Sequence, residues 1–299
     1  MSATAASSSI KPAPSRIWRA TLSFCSAQPV AAASLFLIIA FLCAGLFARQ
    51  LAPFDPLDVD YESILSAPDS LHWFGTDAFG RDILSRLIHG ARSALTIGII
   101  SALLGCSVGA TIGIFSAYFG GRFDAIVQRL LELLLAFPLV VLALVIVAIL
   151  GRHPIYGVDV TLILAIAIPM VAPVSRVLRA AALSVRKQPF VDAAITAGYS
   201  HSRIVFRHMM PNLVAPFLVM LSSYIAQAIL LESTLSFLGL GVAEPVPSWG
   251  LMLSGNAADF FETAPWLIIF PGVAISLAVI AFNLFGDGLR DWLDPRFQD

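Results

Sequence analysis

The chain has 299 residues, of which 58% are hydrophobic and 12% charged, with a net charge of −1 and a mean hydropathy of +0.87. A water-soluble domain of this length carries about twice that charge, so the composition excludes an ordinary soluble enzyme and points to a polytopic membrane protein whose element lengths the bilayer sets. The near-neutral balance gives no reason to expect a nucleic-acid partner, and the three cysteines, Cys25, Cys43 and Cys106, have neither the even count of a disulfide framework nor metal-like spacing.

Residues 1–29 read as a tail: 1–15 are rich in Ser, Ala and Pro and read as disordered, and Arg16 to Gln28 suits a short surface helix. Lys11, Arg16 and Arg19 precede an apolar run, as in a signal peptide. That run, Val30 to Phe47, is long enough to span and lacks a small-x-small exit, and Leu42 stands before Cys43 where a lipoprotein signal wants a small residue. The reading is therefore an uncleaved first transmembrane helix, 30–48. A polar segment follows, 49–92, containing LAPFDP and HWFGTDAFGRD. The second span is 93–118, with Gly98, Gly105, Gly109 and Gly113 permitting close helix contact. After a polar link, Gly120 to Arg129, the third span is 130–150 and contains Phe137-Pro138. Gly151 to Asp159 is a brief turn, and the fourth span, 160–183, carries Pro169 and Pro173 as expected kinks. The fifth span is 212–231. Residues 232–264 are rich in Gly and Pro and hold no Lys or Arg; the sixth span is 265–286, and 291–299 form a charged tail. The expected fold is all-α with six transmembrane helices, its core over 93–290.

Six spans put both termini on one side. With the N-terminus inside, 13 of the 18 Lys and Arg residues fall on inner segments, and only Arg49, Arg81, Arg86, Arg92 and Arg152 fall outside. The positive-inside rule then makes both termini cytoplasmic.

Residues 192–211, DAAITAGYSHSRIVFRHMMP, do not look like a mere connector. Asp192 suits a helix cap, and Gly198 is a residue at which a helix can stop. A second helical run begins near Ser200 or His201 and carries Arg203, Arg207 and His208 among Ile204, Val205 and Phe206. Pro211 suits the start of the next helix. Two short helices with a glycine bend, on the basic side of a membrane, form a knob able to fill a groove in another protein.

This knob resembles the coupling motif of bacterial ABC importer permeases, E-A-A-x3-G-x9-I-x-L-P. Asp192, Ala193, Ala194, Gly198, His208, Met210 and Pro211 meet every spacing, with Asp for Glu, His for Ile and Met for Leu. Leu235 to Gly241 (LSFLGLG), the PSWG at 247–250 and the closing AFNLFGDGLRDWLDPR are similar to the C-type permease of the dipeptide, oligopeptide and nickel importer family. HWFGTDAFGRDILSRLIHGAR matches the same family, with Phe74 where Leu is usual, and Glu244 stands where a second proline is usual. The likeness covers about residues 30–297. It implies the type I ABC importer transmembrane fold, in the bacterial inner membrane. It also implies a second homologous permease subunit, two ATP-binding subunits that carry ATP and Mg, an extracytoplasmic binding protein, and contact with membrane lipid. The family's substrates include dipeptides, longer peptides, nickel chelates, glutathione and some sugars.

The irregular segment 232–264 reads either as a packed outer loop or as a re-entrant cap beside the path, touching an incoming partner. Candidate contacts there are Glu232, Phe237, Gly239, Gly241, Pro247 and Trp249. Glu232 either meets a peptide's amino group in the pathway or caps the loop. The charged turn 75–82 reads either as a structural staple, with Asp77 or Asp82 pairing with Arg81 or Arg86, or as a docking point for a partner, the staple being favoured; Glu132 pairs locally with Arg129. The family tail implies cytoplasmic packing for Asp287 and Arg290, near Asn283 at the end of the sixth span. The sequence has no GxxxxGK[ST], HExxH or G-x-S-x-G, so no catalytic, nucleotide-binding or metal site is expected. A self-contained secondary transporter or channel is the rival reading. It is disfavoured because no internal repeat is evident and no carboxylate is well placed at mid-span.

Overall fold

The computed structural model describes residues 28–155, 158–257 and 259–293. The expected disorder at 1–15, the helix from Arg16, the residues Lys11, Arg19, Cys25 and Arg296, and most of the tail lie outside the described residues.

Helix α1 (Pro29–Leu46) begins with proline in its first turn and is followed by a one-turn helix, α2 (Ala48–Leu51). Helix α3 (Ile83–Phe119) starts ten residues before the expected span. The reason is a cap: Asp82 accepts the Ser85 backbone N–H at 2.8 Å and its hydroxyl at 2.7 Å, which satisfies donors the helix leaves unpaired. Polar residues such as His89 and Arg92 hid these first turns, whose other face buries Ile83, Leu87 and Ala91. At 1.5 Å per residue α3 is about 55 Å long, well beyond the roughly 30 Å of a hydrocarbon core.

The expected polar link and third span are instead two helices, α4 (Gly121–Leu135) and α5 (Leu139–Leu150), bent by 87°. Pro138 has no N–H to continue the helix, and its ring disfavours a helical Phe137. α4 lies against the bundle through a polar clasp. Arg179 Nε donates to Asp124 Oδ1 at 2.6 Å, the Ser116 hydroxyl donates to the same oxygen at 2.5 Å, and Gln128 donates to Ser116 at 3.2 Å. A two-residue antiparallel pair, β1 (Pro154–Ile155) and β2 (Val158–Asp159), forms the turn before α6 (Val160–Arg186). Helix α6 passes through Pro169 and Pro173 as one element.

Next come α7 (Pro189–Thr196), the short α8 (His201–Arg203), a π turn (Ile204–Met209), a 3-10 turn (Met210–Leu213) and α9 (Val214–Phe237). His201–Phe237 is one helical run, and it outlasts the expected fifth span by six residues. The one-turn α10 (Trp249–Met252) precedes α11 (Trp266–Leu293), which exceeds the expected sixth span. Five helical runs are long and apolar enough to cross a membrane, and the bent α4–α5 pair makes a sixth. Apart from β1 and β2 the described elements are helical.

The centre of the bundle is the contact of α3 with α6. Gly105, Gly109 and Gly113 lie at i, i+4, i+8 on α3. A Cβ at Gly105 would sit 2.7 Å from the Ala167 carbonyl, and one at Gly109 would sit 2.6 Å from that of Val171. A Cβ at Gly113 would collide with the Ser175 carbonyl. Small residues let the two backbones meet where lipid supplies no hydrophobic drive between helices. Gly98 faces Ile229 of α9 instead.

Three apolar clusters fill the bundle. One surrounds Trp249 between α1, α3, α9 and α11, beginning at the end that bears residues 49–82, the loop end. A second lies beside it between α3, α5, α6 and α9. The third lies under residues 191–213, the knob end. Asp287 and Arg290, expected to be packed, are exposed on α11, as is Asn283; the helix meets α1 through Gly288 and Ala31.

Candidate functional site

The knob is built from beneath. Val191, Ala194, Ile204, Val205, Met209 and Leu213 are buried against Ala110, Ile114, Ala117 and Tyr118 of α3 and Leu178 and Ala182 of α6. Burying an aliphatic side chain of this size contributes about 1.5–3 kcal/mol, so the knob is fixed to the helices below it.

Helix α7 ends at Gly198, whose φ is +73°. The Tyr199 N–H donates to the Ala194 carbonyl at 3.2 Å and the Gly198 N–H to that of Ile195 at 2.9 Å. This bond pair is a Schellman closure, in which the left-handed residue is nearly always glycine. Apart from its two chain neighbours, no atom of the described residues lies within 4 Å of a Cβ built there. The glycine is thus needed by the backbone angle, and it leaves a gap on the outward side.

Asp192 is not the cap expected of it. Gln188 occupies that position with Pro189 after it, and Asp192 lies exposed in the first turn of α7, where its charge favours the helix dipole. Ala193 is exposed and Ala194 buried. Pro211 stands in the first turn of the 3-10 helix Met210–Leu213 that leads into α9, the kind of start expected of it. The π turn and the 3-10 turn around it absorb its missing N–H, and Asn212 Nδ2 donates to the His208 carbonyl at 2.8 Å. Met210 is half-buried and Pro211 exposed.

Two contacts in the knob had no signal in the sequence. His208, where the motif has isoleucine, stacks on Tyr199 with ring centroids 5.7 Å apart and planes 12° apart. Arg203 covers the Tyr199 ring at 4.1 Å, a cation–π arrangement. His201 Nδ1 lies 2.6 Å from the Tyr118 hydroxyl, which joins the knob to the end of α3. Together these leave Asp192, Ala193, Ile195, Arg203, Phe206 and Arg207 on an exposed rim.

At the loop end, Glu232 is fully buried. It accepts hydroxyls from Ser236 at 2.8 Å, Ser248 at 2.9 Å and Ser233 at 3.3 Å. A buried carboxylate needs such donors, and these come from both sides of the 237–247 loop. Of its two readings, the loop cap describes this geometry. Trp249 is likewise internal: its Nε1–H donates to the Leu87 carbonyl at 2.9 Å and its ring meets Phe41 edge-on at 5.5 Å. A Cβ at Gly241 would strike Ser236, and Pro247 is buried with its carbonyl accepting the Ser93 hydroxyl at 2.6 Å. Among the six candidate contacts only Phe237 and Gly239 are exposed, and the Gly239 carbonyl accepts from Arg152 at 2.9 Å.

The charged turn is a staple with its own pairing. Asp77 takes Arg81 at 2.7 Å and Arg86 at 3.7 Å, whereas Asp82 takes His72 at 3.0 Å. Glu132 lies 3.1 Å from Arg129 and 3.7 Å from Arg176; both pairs are half-exposed and worth little.

Residues 109–299 match the family described as binding-protein-dependent transport system inner membrane components. The chain is 38% identical over 281 residues to a dipeptide transport system permease protein of Alkalihalophilus pseudofirmus, covering 94% of this chain and 90% of the other. It is 38% identical to a glutathione transport system permease protein of Pectobacterium atrosepticum, covering 91% and 88%. It is 40% identical to a putative peptide transport system permease protein of Brucella suis, covering 88% and 87%. With its membrane-length helices and a buried frame common to the whole bundle, the chain belongs to the binding-protein-dependent inner-membrane components, the permease subunits of ABC importers.

Proposed function

We propose that residues 189–211 are the surface through which ATP-driven partner subunits move this permease, and that its cargo is a di- or oligopeptide or a related small solute. The observation that carries the coupling reading is the two-sided character of the knob. Its inner side is locked to α3 and α6, while its rim, from Asp192 to Arg207, is exposed beside an open gap at Gly198. An element can transmit motion only when it is packed at both ends, and the exposed rim is the unfilled half.

In this reading two ATP-binding subunits hold ATP and Mg, each receiving one knob, and a second homologous permease supplies the other half of the pathway. The knob end and both termini face the cytoplasm, in keeping with the Lys and Arg asymmetry. The loop end meets an extracytoplasmic binding protein that delivers the solute, and the exposed Phe237 and Gly239 belong to that face. The peptide assignment rests on the names of the dipeptide and peptide permeases above; the glutathione permease, whose cargo is itself a small peptide, fits the same class.

The test is Gly198→Arg in the assembled complex. Its side chain would fill the open gap and reach the partner groove. Uptake into vesicles should fall at least tenfold while membrane insertion and assembly persist, and ATP hydrolysis should no longer respond to loaded binding protein. Normal uptake by this variant would remove the coupling role from the knob.

A further inference from the structure

Arg92 lines three cavities at the loop end, and two of them form a continuous path beside α1 and α3. The first, about 350 Å³, is an apolar groove between α1 and α3 lined by Leu42, Leu46, Leu95, Ile99 and Ile100, with Arg92 at its end. Leu42, Leu46 and Ile100 are exposed. The groove is shallow because Gly45 lets the helices close: a Cβ there would lie 3.0 Å from the Arg92 Cα. The second cavity, about 610 Å³, continues from Arg92 and is lined also by Arg49 and His89.

The chain carries five Lys or Arg residues on this end, and two of them are at this one mouth. Arg81 and Arg86 are held by Asp77, and Arg152 donates to Gly239. Arg49 and Arg92 are exposed and have no hydrogen-bond or ion-pair partner among the described residues. His89, also a lining residue, has its Nδ1 on the Ser85 carbonyl at 2.9 Å. Asp55 is the one carboxylate among the lining residues of the second cavity, and it accepts the Leu57 N–H at 2.9 Å. Two guanidiniums against the one carboxylate of Asp55 leave this mouth cationic; on the other side of Arg92, Glu244 and Asp159 line a separate cavity together with Arg152.

We infer that the groove and its mouth form a binding site for one anionic phospholipid, with an acyl chain along Leu46, Ile99 and Ile100 and the phosphate between Arg49 and Arg92. An apolar trough that runs along the membrane-spanning helices and ends in unpaired cations has the two halves such a lipid needs. Guanidinium forks match phosphate oxygens, and basic pockets beside transmembrane helices select anionic headgroups. A neutral zwitterionic lipid would fill the trough equally but would bring its own cation to the mouth. This site lies at the opposite end of the bundle from the knob, so it stands or falls apart from the coupling reading.

Native mass spectrometry of the purified complex tests the site, with dioleoylphosphatidylglycerol, dioleoylphosphatidylcholine or inorganic phosphate added in turn. Phosphatidylglycerol should be retained in preference to phosphatidylcholine, and inorganic phosphate should not displace it. Arg49→Ala and Arg92→Ala should each weaken retention about fivefold, the size of one surface arginine against an anionic headgroup; Arg49→Lys, which keeps the charge without the fork, should fall between Arg49→Ala and the parent. Ile100→Trp, which blocks the trough but leaves both arginines, should lower retention as well. Size-exclusion profiles of every variant should match the parent. Equal retention of the two lipids, retention unchanged in the double arginine variant, competition by phosphate alone, or a polypeptide of the assembled complex lying along Leu46 and Ile100 would each overturn the inference.

Discussion

Gly241 and Gly250 at the loop end and Gly198 at the knob end are fixed for opposite reasons, and Glu232 and Asp192 differ as much. At the loop end Gly241 and Gly250 are required by crowding: a Cβ on either would strike Ser236 or Ser233. At the knob end Gly198 is required only by its backbone angle and faces open space. Glu232 at the loop end is fully buried and bound by three hydroxyls, while Asp192 on the knob is exposed. Both segments are equally distinctive as sequence. The first is largely closed within this chain, with Phe237 and Gly239 left exposed, and the second presents a rim that the described residues do not cover.

Breaking that contrast should cost most at Trp249. Trp249→Ala removes a buried ring and leaves the Leu87 carbonyl without its donor, so about 3–5 kcal/mol of stability should go. The measurement is the thermal aggregation midpoint of the detergent-solubilised complex, and a shift no larger than that of an exposed control such as Phe237→Ala would refute the anchoring role. Glu232 comes next. Glu232→Ala leaves three buried hydroxyls to find other partners, at about 1–3 kcal/mol, whereas Glu232→Gln keeps an acceptor and should sustain both stability and uptake. A stable Gln variant that has lost transport would return Glu232 to the pathway.

Gly198 sharpens the comparison from the other side. Gly198→Ala should cost about 1 kcal/mol through its left-handed angle, and Gly198→Asn less, since asparagine tolerates that region; unfolding of the two variants in the same detergent measures the difference. At the loop end Gly250→Ala should be much worse than Gly198→Ala, and equal costs would erase the distinction. The smallest effect is expected at Asp69. Backbone N–H groups of His72 and Leu71 hold its carboxyl below the usual range. Its contribution is therefore complete above the ordinary carboxylate pKa and fades as the pH falls through the lowered folded value. Protection of the His72 and Leu71 amides, taken relative to their intrinsic exchange rates at each pH, should fall only under those acidic conditions.

Much of the candidate site was legible because it is local. The spacing from Asp192 to Pro211 puts a glycine bend between two helical turns, and both turns and the bend are present. The capping role given to Asp192 was misplaced by a few residues, since Gln188 followed by Pro189 starts α7, while Pro211 stands in the first turn of a short 3-10 helix. The stack of His208 on Tyr199 was beyond reach, because it depends on how sharply the bend folds back. The start of α3 was misjudged for a related reason: His89 and Arg92 look like loop residues until their opposite face is seen to pack on Trp249 and α1.

The sequence by itself determined the solvent of this protein, the order of its apolar segments, the asymmetry of its Lys and Arg residues, and the family. Each of those follows from composition or from spacings of a few residues, which a bilayer reads one helix at a time. Only the tertiary structure decided that the third segment turns through 87°, that Glu232 is enclosed by hydroxyls, and that Arg49 and Arg92 share one mouth. Those outcomes depend on which helices touch, and partners as far apart as Leu87 and Trp249 leave no mark in the local pattern of either.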